Sequence, residues 1–192
     1  MEALLISTDV VALAEIGDKT QLLAFILAAR FKKPLPIILG ILCATVVNHG
    51  LAGALGAWIT TTLSGDTLRW VLGASFIGMA IWTLIPDKIE EEETQVAKHL
   101  GVFGATLITF FLAEMGDKTQ IATVAMAAKF PDPILVVIGT TLGMLIADVP
   151  AVFVGDRFAA KIPMKLVHSI AAGIFAILGI ATLLGAGKSL GF

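Results

Sequence analysis

What this sequence has least of is charge. Only 15% of its 192 residues are Asp, Glu, Lys or Arg, 57% are hydrophobic, and the mean hydropathy is +0.95. A soluble domain is nearer a quarter charged, so there is too little polar surface here to cover a globule in water, and the chain is expected in a bilayer. Cysteine is nearly missing as well. Cys43 stands alone, which excludes an intramolecular disulfide, and no Cys/His cluster suggests zinc. The His residues, His49, His99 and His168, show no spacing to a Ser or Cys that implies a nucleophile and base, which speaks against an intramembrane enzyme. There is no basic excess; a formal net charge of −2 argues against a nucleic-acid partner. No G-x-x-x-x-G-K-[ST] phosphate loop occurs. Tyrosine is absent altogether, and for that there is no physical account.

One spanning helix takes roughly 20 apolar residues, so about six spans would consume some 120 residues and leave short connections. No room then remains in these residues for a nucleotide-binding or catalytic domain. That excludes an ATP-driven pump on one polypeptide and leaves channels, secondary transporters, small intramembrane enzymes and helical subunits of larger complexes. The apolar start is not expected to be a signal peptide: Glu2 is the first charge, no basic stretch precedes the apolar run, and Glu15, Asp18 and Lys19 interrupt it. It reads as a retained first membrane helix.

Hydrophobic runs bounded by charges, Pro and Gly mark six expected spans, at 4–29, 35–62, 67–86, 100–129, 134–155 and 166–186. Between the third and fourth lies a strongly polar segment, 87–99, with Glu90, Glu91, Glu92 and Glu93 in succession. Four consecutive Glu do not sit in lipid, so this is an aqueous loop between halves 1–86 and 100–192. The halves repeat. Leu13-Ala14-Glu15-Ile16-Gly17-Asp18-Lys19-Thr20-Gln21-Leu22 returns 99 positions later as Leu112-Ala113-Glu114-Met115-Gly116-Asp117-Lys118-Thr119-Gln120-Ile121. The same offset pairs Ala28-Ala29-Arg30-Phe31 with Ala127-Ala128-Lys129-Phe130, Pro34 with Pro133, Gly40 with Gly139 and Gly56 with Gly155, which is duplication. Three spans per copy force the second copy to enter from the opposite side. The expected fold is therefore an all-α membrane protein of six transmembrane helices, arranged as two inverted three-helix repeats about an axis in the membrane plane. One set of loops carries Arg30, Lys32, Lys33, Lys88, Lys98, Arg157, Lys161 and Lys165, the other Arg69, Lys129 and Lys188. By the positive-inside rule the first set is cytoplasmic, which puts both termini outside.

The repeated E-x-G-D-K-T-Q places three ionisable groups in each of two apolar spans, where a charge costs at least ~2.5 to 3.5 kcal/mol at the bilayer centre. On a regular helix Glu15, Asp18 and Lys19 fall within an arc of about 100°, with Gln21 beside Asp18, and Glu114, Asp117, Lys118 and Gln120 do the same. Gly17 and Gly116 permit close helix approach or a local break. A single such motif would as readily be a capped helix end or an intrahelical Glu/Lys pair; its duplication at membrane depth favours a site. Four carboxylates and two carboxamide oxygens form a hard donor set suited to Mg²⁺, Ca²⁺ or Mn²⁺. The candidate ligands are thus Glu15, Asp18, Gln21, Glu114, Asp117 and Gln120. Thr20 and Thr119 add hydroxyls only if the helix is irregular there. Lys19 and Lys118 balance charge, taking the motifs from −4 to −2. Carboxylates held together resist simultaneous ionisation, so metal and protons compete for one site, which is the minimum needed for a cation/proton exchanger.

Asp148 is the next intramembrane acid; its repeat mate is His49, beside Asn48. Asp148 and Asn48 are candidates for the ion path, whereas a lone His more often bonds a neighbour. Asp9 reads as interfacial. Gly139 and Gly143 read as helix packing, Pro150 as a kink, and Trp58, Trp70 and Trp82 as interface anchors or core. Asp-Lys-Thr occurs in P-type pumps, but there Gly-Thr follows on a soluble domain, and here Gln follows inside a span.

The paired E-x-G-D-[KR]-[ST] motifs, one in each half and separated by an acidic loop, resemble the signature of the Golgi calcium/manganese–proton antiporter family. The form is closest to its bacterial MneA-type manganese exporters. The likeness spans the six-helix core. It implies export of Mn²⁺, or alternatively transport of Ca²⁺, in exchange for protons, with Glu15, Asp18, Glu114 and Asp117 binding the ion. The chain lacks the long N-terminal extension of eukaryotic members, which favours Mn²⁺ export across a bacterial inner membrane. No resident cofactor is expected; the partners are the divalent cation, protons and the bilayer, and a homo-oligomer is compatible with this reading. A passive cation channel with the same acidic ring and a small-molecule exporter are the rivals.

Overall fold

The computed structural model describes residues 1–85, 100–154 and 164–185. Among them are eight helices: α1 (Glu2–Glu15), α2 (Lys19–Phe31), α3 (Pro34–Thr62), α4 (Gly65–Thr83), α5 (Val102–Glu114), α6 (Lys118–Lys129), α7 (Pro133–Val154) and α8 (Met164–Leu183). The acidic loop 87–99 lies outside the described residues. So do Gly155 and several loop cations of the orientation count, Lys88, Lys98, Arg157, Lys161 and Lys188.

The expectation of a regular helix through each motif is corrected. The segments 4–29 and 100–129 are each two helices, α1 with α2 and α5 with α6, broken at the motif glycines. Gly17 and Gly116 have φ of 86° and 78°, a left-handed conformation that an L-residue helix does not continue through. The other starts and stops also follow from local chemistry. Pro34 opens α3 at a position where its missing N–H costs nothing, and Asp132 Oδ1 accepts from Ile134 N and Leu135 N ahead of α7. Pro150 lies within α7, which stays helical around it.

Among the described residues two helices, α3 and α7, are long and apolar enough to cross a membrane by length and composition. The distribution of side chains is inside-out by the standard of a soluble protein. Leu35, Leu39, Val46, Leu51 and Leu55 of α3 and Ile134, Ile138, Leu142, Ile146 and Phe153 of α7 face outward, while Glu15, Asp18, Glu114, Asp117, Lys118 and Asp148 are buried. An exterior of this kind suits hydrocarbon better than water.

Each half packs through the other. α1 lies along α7, and α5 along α3. The contacts match one for one: a Cβ on Gly40 would stand 2.7 Å from Thr106 Cβ and 3.0 Å from Phe103 O, and one on Gly139 would stand 2.9 Å from Ser7 Cβ and 2.6 Å from Leu4 O. Gly139 and Ser7 are the repeat mates of Gly40 and Thr106, and Leu4 is the mate of Phe103. Gly143, one turn on, holds α7 against Thr8 O and Ala12 N at 2.6 and 2.9 Å from its missing Cβ. Backbone atoms there have nowhere to go, so Gly143→Ala is expected to cost on the order of 1 to 3 kcal/mol, seen as a lowered Tm in detergent. Gly173→Ala on α8 is the control: its Cβ meets open space, and Ala is the better helix former, so no loss is expected.

Candidate cation site at the paired helix breaks

In both halves the chain runs helix, extended residue, left-handed glycine, aspartate, helix. Ile16 and Met115 are extended, with ψ of 114° and 116°, and Asp18 and Asp117 stand as the N-caps of α2 and α6 with ψ of 170° and 166°. The break is closed by the motif itself. Asp18 N donates to Glu15 O at 3.0 Å and Asp117 N to Glu114 O at 3.1 Å. Gly17 N donates to Gln21 Oε1 at 3.0 Å, and Gly116 N to Gln120 Oε1 at 2.7 Å. This is a capping box displaced by one residue, with Gln reaching back to cover an orphan N–H of the break. The carboxamide oxygens expected as ligands thus already serve the backbone, each retaining a second lone pair.

The irregular backbone also brings the threonines onto the acids. Thr20 Oγ1 donates to Glu15 Oε2 at 2.6 Å and Thr119 Oγ1 to Glu114 Oε2 at 3.0 Å. Each Glu is wholly buried, and its other oxygen, Oε1, has no hydrogen-bond partner. The lysines cross between halves: Lys118 Nζ lies 2.9 Å from Asp18 Oδ2, and Lys19 Nζ 3.5 Å from Asp117 Oδ1. The simple alternative of an intrahelical Glu15/Lys19 pair does not form, because the break takes Lys19 out of register with Glu15.

Ligand oxygens of Glu15, Glu114 and Asp117 all lie within 4.8 Å of one another, and all three residues are buried. Asp18 is not in that group; its carboxylate is occupied by Lys118 and by Lys19 N at 2.7 Å. Two half-helix C-termini and two N-termini meet at this depth, so backbone carbonyls and N–H groups of opposite polarity face the same volume. Three hard oxygens, with Glu15 Oε1 and Glu114 Oε1 lacking a hydrogen-bond partner, are the donor type of a divalent-cation site and half or fewer of the roughly six to eight ligands such an ion takes.

Around this centre α3 and α7 supply further polar groups. Gln21 Nε2 donates to Ala147 O at 3.0 Å, next to Asp148, and Asn48 Nδ2 donates to Phe111 O at 3.1 Å on the motif helix of the other half. Asp148 is buried with both oxygens unpartnered, and His49 is buried with neither ring nitrogen partnered. Sequence reasoning passed over Thr45 and Thr141, buried hydroxyls without a partner on α3 and α7. The signal was present in their spacing, since Thr45 precedes Asn48 and His49 by one turn and Thr141 precedes Asp148 by two. Asp9 is exposed, as are Trp58 and Trp70.

The sequence profile of a family described as divalent cation/proton antiporter GDT1 matches residues 3–91 and 102–189. The chain belongs to this GDT1 family. Among its relatives, a Vibrio cholerae protein described as a candidate manganese exporter is 51% identical over 183 residues, covering 95% of this chain and 90% of its own length. GDT1-like protein 3 of Oryza sativa is 30% identical over 200 residues, covering 91% and 71%. GDT1-like protein 5 of Arabidopsis thaliana is 27% identical over 209 residues, covering 90% and 91%. No solved structure matches the chain. Membership makes this a divalent cation transporter and not an enzyme.

Proposed function

We propose that the chain exports a divalent cation, Mn²⁺ foremost, from the cytoplasm in exchange for protons, and that the two helix breaks form one shared site. The observation that carries this reading is the convergence of Glu15, Glu114 and Asp117, from both halves, within 4.8 Å at full burial. Metal entering this cluster displaces protons from it, and protons arriving from the other side release the metal. Asp18 completes the acidic set when Lys118 yields it. Lys19 and Lys118 hold the empty cluster neutral enough to stay buried, and Gln21, Gln120, Thr20 and Thr119 fix the broken backbone and aim the two Glu. Asp148 and Asn48 lead the ion to the site. The preference for Mn²⁺ over Ca²⁺ rests on the relative described as a manganese exporter, since the donor oxygens suit both.

In this reading α1 with α2, α3, α4, α5 with α6, α7 and α8 are six spans in a bacterial inner membrane. Residues 1–86 and 100–192 are inverted repeats forming one transport domain, joined by a cytoplasmic loop, with both termini outside. The exchanged ion pairs and the matched glycine contacts support such a pseudo-two-fold relation. Protein in liposomes enclosing a pH dye tests the exchange. Addition of Mn²⁺ should move protons in the opposite direction to the metal, and metal flux collapsing to its Nernst potential with no response to a pH gradient would indicate a channel instead.

A further inference from the structure

A second polar site lies at the far end of α6 from the motif. Lys118 and Lys129 bound this helix, which puts them about 16 Å apart by helical rise. Here a cavity of about 480 Å³ opens between the first turn of α4, the last turn of α6 and the end of α8. Its polar wall carries two cations from different helices, Arg69 and Lys129, with the Thr182 hydroxyl, which accepts from Lys129 Nζ at 3.2 Å. Lys129 also sits over the Phe76 ring, 5.6 Å from its centroid. Arg69 Nε is buried without a hydrogen-bond partner; its guanidinium carbon lies 5.9 Å from the Trp70 ring centroid, and Asp66, with its side chain 91% exposed, is 3.6 Å from Arg69 Nη2, a pairing too open to satisfy the guanidinium. The acid that acts on Lys129 is Glu2. Ser64, the N-cap of α4, makes no side-chain bond to a backbone N–H of the helix; its hydroxyl pairs with the Thr67 hydroxyl at 2.9 Å. The first-turn N–H groups beside the two cations are therefore not covered by the cap side chain. The other wall is apolar, formed by Leu68, Leu72 and Ala128.

Two tryptophans fix the level of this cavity. Trp58, just before the end of α3, and Trp70, just after the start of α4, are 62% and 60% exposed, as expected of indoles in the headgroup layer. We propose that this cavity binds the phosphate of an anionic phospholipid, the charged head between Arg69, Lys129 and the start of α4, with the acyl portion against the leucine wall. The proposal rests on the reading of the chain as a membrane protein but not on its cargo or its coupling ion.

The test is lipid retention by the full chain in detergent, read by native mass spectrometry with phosphatidylglycerol against phosphatidylcholine, with no transport involved. The wild type should retain phosphatidylglycerol about 30-fold over phosphatidylcholine, as expected from two cations near a headgroup. Arg69→Gln with Lys129→Gln should reduce this to parity, Arg69→Lys should keep most of it, and Asp66→Asn should raise it. No preference in the wild type, or a preference unmoved by the double substitution or by Asp66→Asn, would overturn the proposal. Inorganic phosphate is the second probe: its binding by calorimetry without any lipid preference would overturn the assignment to lipid and leave a site for free phosphate. A failure of metal transport in the same variants would bear on the transport reading and leave the lipid result standing.

Discussion

If the proposed site is right, Glu114→Gln should lower Mn²⁺ uptake into inside-out vesicles by at least about 100-fold, because loss of a direct ligand exceeds the 10- to 100-fold typical of its supporting groups. The substitution keeps the shape and the acceptor for Thr119 Oγ1, so folding is spared, and removal of one charge from a buried cluster of acids does not lower the Tm. Glu15→Gln should behave the same way, with Thr20 in the place of Thr119. Equality of the two is the informative part. A large loss on one side only would mean that the halves hold separate sites, and near wild-type uptake in both would remove the glutamates from the ion path.

Lys118→Met should cost stability rather than rate alone. Lys118 and Asp18 are each 1% exposed at their side chains and 2.9 Å apart, and breaking a buried pair by removing one partner typically costs about 3 to 5 kcal/mol. Loss of a monodisperse peak in detergent, or a steep fall in Tm, is the expected result. Asp18→Asn added to Lys118→Met should restore folding, since the uncompensated charge is then gone, without restoring transport. Lys19→Met should be milder: Lys19 is 3.5 Å from Asp117 and 19% exposed, a longer and less enclosed pair than Lys118 with Asp18, although Asp117 at 3% is still left buried. Equal damage from both lysine substitutions would contradict this ordering.

The convergence of Glu15, Glu114 and Asp117 in the candidate site was foreshadowed by the duplicated motif, because charges in an apolar chain demanded an explanation. The break at Gly17 and Gly116 was legible only as one of two uses of a small residue, since Gly also permits close helix packing, as Gly139 and Gly143 do. That choice governed the rest. A regular helix would aim Glu15, Asp18 and Lys19 along one face, whereas the left-handed glycine turns the Asp into an N-cap and sends Lys19 to the opposite half. The crossing of the ion pairs was not legible, because it depends on how two distant segments meet and not on spacing within either. The same holds for the cavity near Arg69 and Lys129, whose walls come from α4, α6 and α8 and show no motif. The expected runs differ for a physical reason: 35–62 is a single helix although it buries Asn48 and His49, while the left-handed Gly17 and Gly116 interrupt the runs at 4–29 and 100–129.

The central claim is that residues from both halves hold one cation, and the number of Mn²⁺ ions bound per chain tests it most directly. Electron paramagnetic resonance on the purified protein in detergent counts free against bound Mn²⁺. One ion per wild-type chain is predicted, falling to none with either Glu15→Gln or Glu114→Gln alone. Two ions per chain, or a full equivalent retained after substitution in one half, would contradict a shared site.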